Sequence, residues 1–194
     1  NTYLLKEIKE ILNIPEDYKL SRLIHALALQ IGNMLNYNEL SAITGFSNRD
    51  LLKYLNILEK TFIVSRSRPF HTNKRTELVK TPKIFFFDNG FRNIILKNFQ
   101  RLKERPDKGG LYENFVASEL IKQEIEIKYW RTKAKAEVDF VVDVGGRTIP
   151  LEVKSDLNEP KVTKSFHSFL EKYKPSSGII LSEKLISKRN NIYF

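Results

Sequence analysis

The chain has no cysteine, which excludes disulfides and cysteine-ligated zinc. None of its eight glycines precedes a lysine, so there is no Gly-x-x-x-x-Gly-Lys-Ser/Thr loop to cradle nucleotide phosphates, and no ATP site is expected in this chain. The one methionine is Met34 and the first residue is Asn1, which reads as a piece of a longer protein or a processed one. No apolar run approaches the ~18 residues of a spanning helix, and the N-terminus lacks a secretory pattern. A cytoplasmic protein with no membrane partner is therefore expected. There are no internal repeats and no low-complexity segment. Negative charge is in deficit: 33 Lys and Arg stand against 23 Asp and Glu, leaving +10. That favours an anionic partner, nucleic acid before membrane surface. The 194 residues, 41% hydrophobic and 29% charged, suit one globular domain or two small ones.

The chemistry concentrates in two short runs. Glu137-Val138-Asp139-Phe140-Val141-Val142 and Ile149-Pro150-Leu151-Glu152-Val153-Lys154 are rich in Val, Ile and Phe and predict strands. The segment between them predicts an antiparallel hairpin turning at Gly145-Gly146. Alternation puts Glu152 and Lys154 on one face of their strand. Asp139 stands mid-strand among apolar residues, where a carboxylate is costly unless compensated. Two carboxylates and an ammonium on an apolar hairpin point to a divalent-cation site with a cationic assistant. The competing reading is structural: Glu152 and Lys154 pair on a solvated face, and Asp139 only accepts backbone hydrogen bonds.

Asp139 followed by Glu152-Val153-Lys154 resembles the PD-(D/E)XK nuclease superfamily. That resemblance implies an acid on a preceding helix, for which Glu113 in Gly110-Leu111-Tyr112-Glu113-Asn114-Phe115-Val116-Ala117 is the candidate. It implies Glu113, Asp139 and Glu152 as ligands of Mg²⁺ (or Mn²⁺). Lys154 would stabilise charge on the phosphate or help to orient and deprotonate the attacking water. The superfamily also contains inactive members.

Elsewhere, apolar periodicity predicts helices over residues 1–15, 21–33, 38–44, 48–61, 91–102, 111–124 and 161–173. Strands are expected over 63–70, 83–87, 125–131, 178–181 and 191–194. Ser21 would cap the second helix, Ser47 with Asp50 the fourth, and Asp88 the fifth. Leu51, Leu55, Leu58 and Phe62 would form the buried stripe of the fourth. Helix, Gly45 turn, helix is a helix-turn-helix arrangement whose second helix would present Asn48, Arg49 and Lys53 to DNA. The two strands after it, joined by a basic turn, make a wing. Arg66, Arg68, Lys74, Arg75, Lys80 and Lys83 would track a phosphate backbone. Arg131 and Lys133 could approach a phosphate. Trp130 is read as core or a wall near the site. Residues 101–110 read as a linker. The expected fold class is α/β (α+β): a winged helix-turn-helix domain over 1–105, then a restriction-endonuclease-like mixed sheet flanked by helices over 110–194.

A second resemblance covers most of the chain. It rests on Asn38-Glu39-Leu40-Ser41, Tyr54-Leu55-Asn56-Ile57-Leu58-Glu59-Lys60-Thr61-Phe62, Lys83-Ile84-Phe85-Phe86-Phe87-Asp88-Asn89-Gly90, Tyr112-Glu113-Asn114-Phe115-Val116, Tyr129-Trp130-Arg131-Thr132 and the hairpin. Together these are similar to archaeal and bacterial AAA+-type ATPases of unknown role that carry a winged helix and a nuclease-like C-terminal region. The resemblance implies an N-terminal ATPase domain in the parent protein. The leading expectation is a DNA-binding, metal-dependent nuclease-like region of a larger ATPase. The alternative is a catalytically inactive DNA-binding or protein-interaction module of that ATPase.

Overall fold

The computed structural model describes residues 17–71 and 81–194. The helix expected over 1–15 and the turn residues Lys74, Arg75 and Lys80 lie outside the described residues. Three helices come first: α1 (Asp17–Leu29), α2 (Tyr37–Thr44) and α3 (Asn48–Lys60). The apolar face of α1 already begins at Leu20, which is buried with Leu23, Ile24, Leu27 and Ala28, so Ser21 lies inside the helix and does not cap it. Asn36 caps α2 by accepting from the Glu39 N–H, and Gly45 closes it at φ 71°, a left-handed turn glycine takes without steric cost. Ser47 caps α3 reciprocally: its hydroxyl accepts from the Asp50 N–H and donates to the Asp50 carboxylate at 2.6 Å. Leu51, Leu55 and Leu58 are buried, but Phe62 is not. It lies past the helix end at φ 55° and stays 71% exposed, edge-on to Phe87.

Two strands follow, β1 (Val64–Pro69) and β2 (Lys83–Phe86), then α4 (Asn89–Leu96) under an Asp88 cap. α4 stops six residues short of the expected end. Lys97 turns left-handed, and the N–H groups of Lys97 and Asn98 return to Ile94 and Asn93, which satisfies the last carbonyls. After a turn of 3₁₀ helix come α5 (Lys108–Lys122), β3 (Ile127–Arg131), β4 (Glu137–Val144), β5 (Arg147–Lys154), α6 (Lys164–Tyr173), β6 (Gly178–Ser182), β7 (Lys188–Arg189) and β8 (Ile192–Tyr193). The β4–β5 hairpin pairs Phe140 with Leu151 and Val144 with Arg147. Gly145 and Gly146 both take positive φ at its tip, as a two-residue primed turn requires.

The described strands form one mixed eight-stranded sheet, in the order β2-β1-β3-β4-β5-β6-β8-β7. The molecule is therefore mixed α/β. β1 runs antiparallel to β2 on one side and parallel to β3 on the other, through Arg68 opposite Lys128 and Pro69 opposite Tyr129. That seam makes the strands expected in a wing and those expected in a second sheet continuous. α5 packs on the sheet through Ala117 against Phe85, Phe140 and Leu151. α6 packs through Phe166 and Phe169 in a separate cluster with Trp130 and Val138. α1 to α3 build the remaining cluster with Val64, Ile84 and Phe86.

Residues 101–110 are held in place by charge. Asp107 accepts from Arg105 and Arg92, and Arg105, only 4% exposed, also reaches the Asn93 side chain and the Asn98 carbonyl. Hydrogen bonding to Arg105, seconded by Arg92, holds the Asp107 carboxyl far below the usual carboxylate range. Its oxygens are thus engaged, and Asp107 makes no side-chain cap for α5.

Asn114 of α5 is the other fastening. It is fully buried, accepts from the Phe86 N–H at 2.6 Å, and donates to the Phe86 carbonyl and the Asn89 side chain. Truncating it orphans these buried partners. Asn114→Ala is expected to lower unfolding free energy by about 2–4 kcal/mol in urea titration, whereas Asn38→Ala, on the exposed side of α2, should change it by less than about 0.5 kcal/mol.

Candidate active site

β4 alternates, so Glu137 and Asp139 project from the same face, and β5 likewise pairs Glu152 with Lys154. Asp139 accepts the Val153 N–H at 2.8 Å, just beyond the end of the β4–β5 ladder at Phe140 and Leu151. Glu152 is 4% exposed. One of its oxygens pairs with the Lys154 ammonium at 2.7 Å, and the other accepts from the Thr163 hydroxyl at 2.9 Å. Thr163 is also the cap of α6, so the first turn of that helix is tied to Glu152.

Glu113 reaches this cluster from α5. Burial, the Asp139 charge and then Glu137 push its carboxyl up to about 7, against the opposing pull of Lys83 and Lys154. Asp139 is also raised, by burial first and by Glu152. The Val153 N–H, Lys83 and Lys154 act against that rise. Neither carboxylate is ion-paired to a lysine or arginine among the described residues. Burial alone would lower the Lys154 pKa, but its bond to Glu152 and the charges of Glu152, Asp139 and Glu113 raise it overall. Lys154 is therefore a committed cation.

Lys83 lies in the middle of this charge. It is 3% exposed, ion-paired with Glu137 and set 5.5 Å from the centre of the Tyr129 ring. The sequence reading put it on a phosphate-tracking surface; it is instead the one charged residue of a fully buried strand. Glu137 also pairs with Arg131 at 3.0 Å. Gly32, in the turn after α1, abuts Glu113 so closely that a Cβ there would lie 2.9 Å from the carboxylate. Glu137 and Gly32 were not read as site residues, and Lys83 was read only as a phosphate contact. The signal available for Lys83 was a lone charge opening the apolar run Lys83-Ile84-Phe85-Phe86.

The remaining expected contacts divide. Asn48, Arg49 and Lys53 are exposed at the start of α3. Arg68 is exposed on β1. Arg66 is not left for a phosphate: its guanidinium and its N–H both bind Glu59, at 3.0 Å for Nε. Lys74 and Arg75 lie outside the described residues.

The donors fit a hard divalent ion. Half-buried carboxylates with no ion-pair partner among the described residues have the charge that such an ion relieves, and oxygen is the ligand atom it prefers. Glu113 and Asp139 are the carboxylates so disposed. Glu152 is turned to Lys154 and Thr163, and among the described residues no three His, Asp or Glu side chains already surround one point.

Residues 1–102 match the family described as Domain of unknown function (DUF8612). The chain belongs to that family. Residues 108–192 match a second description, Domain of unknown function (DUF4143), a domain typically found in AAA-like ATPase-associated proteins. Lys83 and Gly32 thus fall in the DUF8612 part, and Glu113, Glu137, Asp139, Glu152 and Lys154 in the DUF4143 part. The chain is similar to uncharacterized proteins of Mycobacterium bovis and Mycobacterium tuberculosis, each 28% identical over 74% of this chain and 33% of their own length. An uncharacterized protein of Haemophilus influenzae is 23% identical over 82% of this chain and 40% of its own. The chain therefore spans well under half the length of these relatives. No solved structure matches it.

The raised Glu113 carboxyl has a signed consequence. Its pKa rises from 4.5 to about 7 on folding, so the folded state binds the proton more tightly than the unfolded chain. That contribution is complete below 4.5 and disappears as pH rises through about 7. Metal-free stability should fall over this window by an amount on the order of 3 kcal/mol. Glu113→Gln should flatten the fall, as followed by urea unfolding at stepped pH.

Proposed function

We propose that this chain is the DNA-gripping, divalent-metal-dependent nuclease-like region of a larger ATPase, and that its reaction is phosphodiester hydrolysis. The observation that carries this reading is the convergence of Glu113, Asp139 and Lys154, with the two carboxyls driven toward protonation by burial and neighbouring charge. Perturbed groups of this kind collect at functional sites. A helix acid, a hairpin Asp and a Glu-x-Lys strand, on a mixed sheet with α5 and α6 packed on it, support a PD-(D/E)XK reading of residues 110–194. The α2–Gly45–α3 pair followed by β1 and β2 supports a winged-helix reading of the part before it. There Asn48, Arg49 and Lys53, and Arg68 on β1, are the exposed groups for a duplex.

Mg²⁺ or Mn²⁺, when bound, would lower the pKa of an attacking water and neutralise charge on the phosphate. The chain's own groups do the rest. Glu113 and Asp139 would hold the ion. Lys154, kept protonated by Glu152, would donate to the phosphate oxygen or to the water and would not serve as the base. The DUF4143 match supports the ATPase parent.

A second reading is a catalytically silent DNA-binding or protein-interaction module. The closed Glu152–Lys154–Thr163 arrangement favours it, because Glu152 is then a structural tie. Labelled linear and branched DNAs with Mg²⁺, then Mn²⁺, separate the two. Cleavage that drops at least about 10²-fold in both Asp139→Ala and Lys154→Ala is the expected result. DNA left intact by the parent chain but still shifted on a gel would establish the silent module. For the duplex contacts, Arg49→Ala combined with Lys53→Ala should weaken binding of any sequence and reduce the slope of log affinity against log salt by about 2.

A further inference from the structure

Lys83 has no role in the chemistry above, yet it is the most buried charge in the acidic cluster. We propose that Lys83 is the resident counter-ion of the acidic site, a positioning residue that holds Glu113, Glu137 and Asp139 together when no divalent cation is bound. The cation half of this statement rests on the metal reading above; the counter-ion half does not.

Geometry supports the assignment. A lysine 3% exposed is not placed to meet a phosphate from solvent, and it persists in a core only with a partner. Its ammonium pairs with Glu137 and faces the Tyr129 ring. Its backbone is clamped from both sides. Ser67 of β1 lies opposite it, and the loop after α1 bonds its neighbours: Gly32 N–H to the Ile84 carbonyl, Leu35 N–H to the Pro82 carbonyl, and Ile84 N–H to the Asn33 carbonyl. The Tyr129 hydroxyl adds a bond to the Thr81 carbonyl at 2.7 Å. That same loop brings Gly32 against the Glu113 carboxylate. One short segment of the N-terminal part therefore fixes both an acid of the site and the cation beside it. The other charged groups of the cluster are Arg131 from β3, Glu137 and Asp139 from β4, and Glu152 and Lys154 from β5. Arg131 pairs with Glu137 and Lys154 with Glu152, while Lys83 pairs with Glu137 and, with Lys154, also offsets the charge of Glu113 and Asp139.

The test measures thermal unfolding of the parent chain, Lys83→Met, Lys83→Arg, and Lys83→Met combined with Glu137→Gln or with Glu113→Gln, metal-free and then with Mn²⁺. If Lys83 is the counter-ion, removing an acid it balances recovers roughly half or more of the midpoint lost in Lys83→Met. Lys83→Arg keeps the parental midpoint. Mn²⁺ then raises the Lys83→Met midpoint more than the parental one, because the ion replaces the missing charge. No recovery in either double variant would overturn the proposal, since a lysine that merely packs would give that result. Should Lys83→Met not fold, folding of either double variant supports the proposal, and failure of both overturns it. A parent chain indifferent to Mn²⁺ alongside the recovery would leave the counter-ion standing and remove the metal reading.

Discussion

A carboxylate taken out of water must find a positive charge, accept hydrogen bonds or take up a proton. Glu113 and Asp139 are largely withdrawn from water together, beside Glu137 and Glu152, and among the described residues two ammonium groups and one guanidinium offset these four acids. The fold around them follows from meeting that demand. β1 has to bridge β2 and β3 so that Lys83 can reach Glu137 of β4. The loop after α1 returns to β2, and glycine at position 32 takes φ 72°, where any side chain would be strained and would push the Glu113 carboxylate aside. Asn114, one residue along α5, then ties the helix to Phe86 by replacing backbone partners with its amide. Buried charge of this kind adds little to stability, since desolvation takes back most of the Coulomb energy.

Local rules made part of this legible in the sequence. The Gly145-Gly146 hairpin, the reciprocal Ser47–Asp50 cap and the Asp88 cap each depend on residues within a few positions of one another, and each forms. Strand alternation placed Glu152 and Lys154 on one face of their strand, while Glu113 was singled out only by the resemblance to the PD-(D/E)XK pattern. What stayed hidden depended on long-range pairing. Lys83, Arg66 and Lys53 look alike as basic residues in the N-terminal part. One is buried against Glu137, one is bonded to Glu59, and one remains exposed, according to which element packs over each. The two-pair seam between β1 and β3 has no sequence signature at all, because parallel pairing across some sixty residues is set by the whole sheet. Phe62 failed for a different reason: its apolar side chain continued the α3 stripe in register, but the chain had already turned left-handed at that residue.

The electrostatics also separate two roles that the residue types leave open. A lysine beside a reacting water can act as a base only if it gives up its proton near neutrality. The Glu152 contact holds Lys154 in the opposite state. The same Glu152 is fastened to the cap of α6 through Thr163, so the charge state of Lys154 depends on how that helix begins.

The single tryptophan is a built-in optical probe of the seam. Trp130 stands edge-on to Phe169 and Tyr173 at 5.4 and 6.3 Å, and Phe70, which follows β1, packs on the same two rings. Phe70 also donates its N–H to the Tyr129 carbonyl, one residue from the indole. Indole emission depends on local polarity and packing, so separation of the N-terminal part from the sheet would open this aromatic stack and expose it to water. The chain thus carries its single indole at the joint between its two family segments, without any label.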